Sequence, residues 1–401
     1  MRPQLAFPLV HLPHSWDEAR ERAYEAAAAL PAHPVPLERA IGRILAQDIV
    51  ALQDMPHYAS SAMDGWAVAG SPPWILAGRG ERLSAGQACP IVTGGLIPRG
   101  AKAVLRSESG RIGRDDDGLP VLLLGERARP GEPKNGQHIR RAAEEAAAGD
   151  LLVRTGVRLN PAHVAVAALA GMDSIQVLGQ PNVRLIFTGD EVIAAGLPGP
   201  GKVRDTFSPQ LATVVRNLGG AVVGQQHVPD SQSDLVEALR DRPDNPADVL
   251  ITTGATGGSS VDFLRPAIAE LGGTMIIDGI AMRPGHPTLL AEFPDGRFLL
   301  GLPGNPLAAM MGLLTLGAPL LARLGSASKP VTAEVACGSP IPESPGRTRL
   351  LPYRLVYGLA SPAKFTDSFM MRGLAAADGV MLVPPHGARM GDVLTTIPLP
   401  W

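Results

Sequence analysis

Hydrophobic and polar residues alternate in blocks between residues 180 and 325, in a pattern typical of strands followed by helices. The strand-like runs are VRLIF, AVVGQQHV, DVLITTG and FLLGLPG, and the amphipathic stretches include SPQLATVVRNL and SDLVEALR. This alternation predicts a parallel sheet with helices on both faces. Ligands of such sheets bind beyond the carboxyl ends of the strands. We therefore expect an α/β domain over residues 179–327 with its site at that edge.

The flanking segments show other patterns. Ser15 and Glu18 have the spacing of a capping box and open an alanine-rich helix that we expect to run to about Leu30. A second helix is predicted over residues 37–45, and Asn160-Pro161 opens another one that ends before Gly171.

The remaining segments read as short strands and turns. The predicted class is thus a multidomain α/β protein in which a parallel-sheet domain is joined by a β-rich domain, a helical linker domain and a small C-terminal β domain. The predicted boundaries are a helical, elongated domain at 1–46 with 140–178, an inserted β-rich domain at 47–139, the α/β domain at 179–327, and the C-terminal domain at 328–401.

Composition narrows the classes of function. The chain has 401 residues, and 36 basic against 38 acidic residues give a formal net charge of −2, so no basic field favours nucleic acid. Cys89 and Cys337 lie far apart without CxxC spacing, which predicts neither a zinc site nor a disulfide. A small-molecule ligand fits this composition better.

The most apolar stretch, residues 306–325, is near the length of a membrane span. Gly312, Gly317 and Pro319 interrupt it, so we expect a buried core helix and no membrane partner. The N-terminus has only a short apolar run broken by prolines and no cleavage site, which is not typical of a secretion signal. We expect a cytoplasmic protein.

Candidate chemistry lies in the loops that follow the predicted strands. These loops supply acids and glycines, namely Asp190 and Glu191, Asp230, Gly254, Gly257, Gly258, Ser259 and Asp262. Acids without histidine or thiol partners suit a hard cation such as Mg²⁺ shared with substrate phosphates. Glycines let backbone N–H groups approach an anion. The same acids are also typical helix caps, so the residues alone leave both interpretations open.

Several phrases, in order, resemble the molybdopterin molybdenumtransferase (MoeA) family, whose members include the C-terminal part of gephyrin. The phrases are SSAMDGWAV at 60–68, IVTGGLIPRGAKAV at 91–104, FTGDEV at 187–192, TTG with Asp262, MRPGHP at 282–287 and GLPGNP at 301–306. The resemblance covers nearly the whole chain, and the combination is more specific than any one phrase.

The resemblance implies an enzyme that inserts molybdate into adenylylated molybdopterin and releases AMP, with Mg²⁺ as cofactor. It also implies a homodimer whose active site lies between the molybdopterin-binding domain of one subunit and the β-rich domain of its partner. Other proteins of molybdenum cofactor biosynthesis are further expected partners.

The resemblance also assigns roles to residues. Glu191, Asp230 and Asp262 are the implied catalytic acids, with Glu191 and Asp262 as metal ligands. The implied substrate-binding residues are Asp64, Thr93, Thr188, Gly189, Asp190, Gly254, Gly257, Gly258, Ser259, Arg283, Pro303, Gly304, Asn305 and Pro306.

The chain departs from the family pattern at several motifs. The family's TTGGxSxGxxD is rewritten at residues 255–259, its DSN or DTN ends here in Phe207, and its MKPGKP carries Arg283 and His286. Besides an active enzyme, two alternative hypotheses therefore stay open. One is a catalytically impaired molybdopterin-binding or carrier protein of the same fold, and the other is an adenylyltransferase of the related single-domain type. Retention of Glu191, Asp230 and Asp262 favours catalysis, whereas the altered glycine loop favours the impaired binding or carrier protein.

Overall fold

The structure is a computed structural model that describes residues 13–78, 80, 82–240, 242–254, 256 and 263–401. The chain divides into two compact units, of which the first contains residues 1–31 and 178–401 and the second contains residues 32–177. The finer division into four domains stays a prediction. Gly257, Gly258, Ser259 and Asp262 lie outside the described residues.

The first helix, α1 (Trp16–Glu25), begins with the predicted capping box. The backbone N–H of Ser15 donates to Glu18 Oε2 at 2.9 Å, and the backbone N–H of Glu18 donates to Ser15 Oγ at 3.3 Å. The helix ends at Glu25 rather than near Leu30. Its buried face, formed by Trp16 and two alanines, packs into the core of the first unit, whereas the sequence interpretation had grouped it with residues 140–178.

The second unit is mainly β-structure. Its elements in chain order are β1 (His33–Pro36), β2 (Ile49–Val50), β3 (Ser60–Ser61), β4 (Gly65–Ala69), β5 (Trp74–Leu76), β6 (Gln87–Ile91), β7 (Ala103–Arg106), β8 (Gly110–Arg114), β9 (Pro120–Leu124), β10 (Ile139–Arg140), β11 (Leu151–Val153), α2 (Pro161–Leu169) and β12 (Ser174–Val177). Six strands form one sheet in the order β7-β4-β6-β5-β9-β8. Helix α2 is confirmed, and Asn160 caps it by accepting the N–H of His163 at 2.9 Å.

The helix predicted over residues 37–45 is wrong. Only Leu37–Arg39 form a single 3-10 turn there. Gly42 has a φ of 82°, a conformation that breaks a right-handed helix, and Leu45 instead makes a β-bridge with Val177.

The α/β part of the first unit contains the expected alternation. Its elements are β13 (Asn182–Thr188), β14 (Val192–Ile193), β15 (Val203–Arg204), α3 (Leu211–Asn217), β16 (Ala221–Val228), α4 (Gln232–Leu239), β17 (Val249–Thr253), α5 (Leu264–Glu270), β18 (Thr274–Asp278), β19 (Met282–Arg283), β20 (Leu289–Glu292), β21 (Phe298–Leu302), α6 (Pro306–Gly312) and α7 (Ala318–Leu324). The main sheet has the order β16-β13-β17-β21-β20-β18.

The four strands β16, β13, β17 and β21 are parallel, as predicted, and β20 and β18 add an antiparallel edge. The sheet is buried on both faces because alternate residues of β13 enter two different clusters, Leu185 on one face and Ile186 on the other. All four parallel strands therefore end at the same edge.

Helices α6 and α7 are joined through a π-helical turn at Leu313–Gly317 into one apolar helix. Among the described residues this helix, Pro306–Leu324, is the one long and apolar enough to cross a membrane, and 94% of its most apolar window is buried inside the protein. It is a core helix, as predicted.

The end of the chain forms a second sheet in the first unit. Its elements are β22 (Ala333–Ala336), β23 (Thr348–Val356), β24 (Leu359–Pro362), α8 (Arg372–Ala375), β25 (Gly379–Val383) and β26 (Val393–Ile397). The order is β19-β23-β25-β26-β22, and β24 pairs with β23. Strand β19 lies in the α/β part of the chain, directly before β20. Its pairing with β23 therefore connects the C-terminal sheet to the α/β part.

Candidate functional site

Three loops meet at the carboxyl edge of the parallel sheet. Thr188 Oγ1, at the end of β13, donates to the backbone oxygen of Thr253 at 2.8 Å, and the N–H of Gly254, after β17, donates to the backbone oxygen of Leu302 at 2.9 Å. Gly254 has a φ of 90°, and a Cβ there would lie 2.6 Å from Thr188 Oγ1. A Cβ on Gly304 would lie 3.6 Å from Gly254 Cα. These glycines allow the loops to approach closely.

Two acids at this edge are hydrogen-bonded to each other. The N–H of Asp190 donates to Asp230 Oδ2 at 3.2 Å, and the N–H of Asp230 donates to Asp190 Oδ1 at 3.3 Å. Lys202 Nζ donates to the backbone oxygen of Asp190 at 2.8 Å. Asp190, a predicted substrate-binding residue, and Asp230, a predicted catalytic acid, are therefore hydrogen-bonded neighbours.

Glu191 lies beside this pair with an exposed side chain. Its backbone oxygen accepts the N–H of Val203 at 2.9 Å, and its carboxylate makes no hydrogen bond to the part of the chain that the structure describes. Gly189 has a φ of 125°, and a Cβ there would lie 3.0 Å from Glu191 Oε2. The absence of a side chain at Gly189 thus leaves room for the Glu191 carboxylate.

The donor set at this edge suits a hard cation. Glu191 and Asp230 offer carboxylate oxygens, and the described residues contain no group of three or more His, Cys, Asp or Glu side chains that could hold a metal by themselves. Mg²⁺ is usually held by one or two carboxylates together with substrate phosphates and water. The residues therefore fit a cation whose shell a phosphorylated ligand completes. Asp262, the second predicted metal ligand, lies outside the described residues.

A cavity of about 710 Å³ opens next to this edge within the first unit. Its polar lining includes three arginines, Arg283, Arg347 and Arg349, and two acids, Glu343 and Asp367. None of the three arginines makes a salt bridge with a described acid. The cavity therefore carries an excess of unpaired positive charge.

The register of two strands brings two of these arginines together. Strand β19 pairs in parallel with β23, and Arg283 is the register partner of Arg349. Like charges in register on adjacent strands repel each other, so their pairing is unfavourable without a counter-ion. An oxyanion such as molybdate or phosphate would relieve this repulsion, because guanidinium groups bind oxyanions with charge-assisted hydrogen bonds.

The N-terminus of helix α6, next to the cavity, is already capped by Ser368. The backbone oxygen of Ser368 accepts the N–H groups of Leu307 at 3.0 Å and Ala308 at 3.1 Å. Asn305 Nδ2 donates to Ser368 Oγ at 3.2 Å, so Asn305 is also held from outside the helix. The arginines, rather than these two helix N–H groups, are therefore the groups free to hold an anion.

Those predicted residues of the first unit that the structure describes lie in one region. Thr188, Gly189, Asp190, Gly254 and Gly304 lie in the contacting loops, and Pro306 is the first residue of helix α6. Arg283, Pro303 and Asn305 line the cavity.

Sequence reasoning missed Arg347, Arg349 and Ser368. The alternating basic residues of GRTRL were the available signal, because a strand places alternate side chains on one face.

Asp64 and Thr93 are neighbours in the second unit. Asp64 Oδ1 accepts the N–H of Thr93 at 2.7 Å and its hydroxyl at 2.9 Å. These hydrogen bonds, first from the backbone and then from the side chain, lower the pKa of the Asp64 carboxyl below its ordinary value. The two predicted residues thus form one exposed polar pair.

Comparison with known proteins decides the family. Residues 14–171 match the model of the MoeA N-terminal region, domains I and II, and residues 184–323 match the model of a probable molybdopterin binding domain. A molybdopterin molybdenumtransferase of Nostoc sp. strain PCC 7120 is 31% identical over 315 residues, which cover 74% of this chain and 70% of that protein. The chain belongs to the molybdopterin molybdenumtransferase family.

Other members agree with this assignment. Molybdopterin molybdenumtransferase 2 of Mycobacterium tuberculosis is 31% identical over 340 residues, which cover 79% of this chain and 78% of that protein. The crystal structure of a molybdopterin biosynthesis MoeA protein from Pyrococcus horikoshii has a TM-score of 0.68 at 25% identity and covers 96% of this chain and 98% of that chain. The predicted family and multidomain α/β fold are confirmed. The protein is a transferase of molybdenum cofactor biosynthesis, as predicted.

Proposed function

We propose that this molybdopterin molybdenumtransferase family member inserts molybdate into adenylylated molybdopterin and releases AMP. One observation carries the proposal: the loop at residues 303–306 borders both the acid-bearing sheet edge and the arginine cavity. Gly304 contacts Gly254 at the edge, and Pro303 and Asn305 line the cavity. This loop therefore connects the edge that carries the acids to the cavity that carries the arginines, and a site that joins a phosphorylated pterin to molybdate needs both.

The arginines and the acids have different binding roles. Arg283 and Arg349 hold the oxyanion, since they are paired by register and make no salt bridge with any described acid. Glu191 and Asp230 would hold a Mg²⁺ at the edge where the phosphorylated end of the pterin binds. When bound, Mg²⁺ supplies positive charge that neutralises the phosphate oxygens. The predicted pterin-binding role of residues 254–262 is part of this proposal.

The enzyme interpretation is favoured over the carrier interpretation by the state of Glu191. The Glu191 carboxylate is exposed and makes no hydrogen bond to the described residues, so it is available to a cation or a reacting group. Gly189 keeps open the space beside this carboxylate, since a Cβ there would lie 3.0 Å from Glu191 Oε2.

The proposal includes a cytoplasmic homodimer in which Asp64 and Thr93 face the partner's site. Val92 and Leu96, which flank Thr93 in the second unit, are 55% and 65% exposed. Apolar side chains exposed next to a polar pair are typical of the surface that meets a partner. Proteins that supply the pterin or accept the finished cofactor are further proposed partners.

The direct test is AMP release by the purified protein with Mg²⁺, molybdate and adenylylated molybdopterin. We expect AMP release by the unmodified protein, its near-complete loss in Glu191→Gln, and normal release in Glu237→Gln, which removes an exposed glutamate charge on α4. Pterin fluorescence measures binding in parallel. Tight pterin binding without AMP release by the unmodified protein would instead establish the carrier alternative.

A further inference from the structure

A buried carboxylate and a half-exposed histidine meet close to the predicted acids. Asp205 is 8% exposed, and its Oδ2 lies 3.3 Å from Nε2 of His227. Asp205 Oδ1 accepts the N–H groups of Phe207 at 2.8 Å and Ser208 at 3.1 Å. Neither Asp205 nor His227 belongs to the site described above.

His227 is held on more than one side. Its ring lies 5.2 Å, centroid to centroid, from the ring of Phe187, its register partner on β13. Ser208 Oγ lies 3.0 Å from the same Nε2 that faces Asp205. The imidazole thus has a defined position at the end of β16, three residues before Asp230.

Asp205 continues directly from the short strand β15. This strand pairs in parallel with β14, which begins immediately after Glu191. The N–H of Val203 donates to the backbone oxygen of Glu191 at 2.9 Å, and the N–H of Asp205 donates to Ile193 at 3.0 Å. A contact that fixes the position of Asp205 therefore also fixes the backbone of Glu191.

The β14–β15 pair has little stability of its own. Each strand has two residues, and Val203 is 50% exposed. Isolated two-stranded pairs are marginal in water, so the pair needs an anchor in the rest of the fold. Asp205 is the buried residue at its end and reaches the main sheet through His227 on β16.

We propose that Asp205 and His227 are positioning residues that fix the backbone of Glu191 relative to Asp230. Two connections then join β16 to the Glu191 loop. The Asp190–Asp230 exchange holds the residue before Glu191, and the His227–Asp205 contact, acting through β15 and β14, holds the residues after it. The expected effect on turnover rests on the proposed function, whereas the positioning of the Glu191 backbone does not.

The test compares His227→Ala with His227→Gln. Glutamine carries an amide N–H that can reach Asp205, so it preserves the contact that alanine removes. His163→Ala is the matched control, because His163 also makes a polar contact, to the N–H of Asn160, but lies in the second unit. Hydrogen exchange of the Val203 and Asp205 amides and steady-state AMP release are measured for each variant.

We expect faster exchange of both amides in His227→Ala and exchange as in the unmodified protein in His227→Gln and His163→Ala. We expect kcat to fall about 10-fold in His227→Ala, because small misplacements of reacting groups are costly, while the KM for the pterin substrate is unchanged. Recovery of kcat in His227→Gln would separate positioning from a general loss of stability.

Unchanged amide exchange and kcat in His227→Ala would overturn the inference, as would a loss confined to melting temperature. If the unmodified protein releases no AMP, the proposed function fails, and amide exchange alone decides the inference. Faster exchange in His227→Ala then still supports the anchoring contact, and unchanged exchange overturns it.

Discussion

Asp190 and Asp230 exchange hydrogen bonds, with the N–H of each residue donating to the carboxylate of the other at 3.2 and 3.3 Å. The exchange joins the loops after two adjacent parallel strands. It uses one oxygen of each carboxylate and leaves the second available to a ligand.

We expect Asp230→Asn to lower the rate of AMP release on the order of 100-fold, the loss typical when one preorganised electrostatic group is removed. Asparagine keeps an oxygen that can accept the N–H of Asp190, so the free energy of unfolding should change by about 1 kcal/mol or less. Kinetic assays and urea unfolding measure the two effects. Asp234→Asn, at an exposed acid in the first turn of α4, is the control. Equal turnover in both variants would remove Asp230 from the site.

Arg349→Ala should raise the KM for molybdate about 10-fold or more, since a hydrogen bond to a charged group contributes about 1.5–3 kcal/mol. Arg354→Ala changes an exposed arginine farther along the same strand and should leave this KM unchanged. AMP release as a function of molybdate concentration, supported by calorimetric titration with molybdate, measures the effect. An unchanged molybdate affinity in Arg349→Ala would show that the oxyanion binds elsewhere.

Gly254→Ala should reduce the free energy of unfolding by about 1–3 kcal/mol, because alanine is strained at positive φ and its Cβ would collide with Thr188 Oγ1. Adding Thr188→Ala removes the colliding oxygen, so the two substitutions should cost less together than the sum of their separate effects. Urea unfolding of the two single variants and the double variant provides this comparison. Strict additivity would mean that the loops do not meet as described.

Acid stability should depend on Asp205. Burial by itself would raise its pKa, but hydrogen bonds from Ser208 and Phe207 and the charge of His227 outweigh burial and lower the pKa. The stabilisation is therefore fully present above the ordinary aspartate pKa of about 3.9 and is lost as the pH falls through the lower folded value. Asp205→Asn should show a smaller loss of stability than the unmodified protein between about pH 5 and about pH 3. Parallel curves would contradict the lowered pKa.

The protein should have a solution mass of twice the 41.8 kDa chain. Leu96→Arg should shift it towards the monomer and lower turnover, because a charge would replace an exposed apolar side chain beside Thr93. Leu119→Arg changes another exposed leucine in the same unit, and we expect it to keep the dimer. Light scattering coupled to size-exclusion chromatography measures the mass. A fully active monomer would contradict the dimeric site.

Local pattern was sufficient for much of the fold. The β-branched runs predicted four parallel strands ending at one edge, and the polar residues after them predicted the loops that contain Thr188 and Gly254. Asn160 predicted the start of α2, because helix capping depends on residues within one turn. The helix predicted over residues 37–45 failed because Gly42 adopts positive φ and Leu45 bridges to Val177, a partner far along the chain.

The sequence by itself determined most of the elements and the composition of the edge, because burial on one face and chain reversal are encoded by neighbouring residues. Only the tertiary structure decided that Arg283 lies in register with Arg349, that Ser368 caps the helix after Asn305, and that His227 anchors Asp205. These contacts join residues that are distant in the chain. They depend on which strands pair and in which register, and no local period of hydrophobic and polar residues specifies that choice.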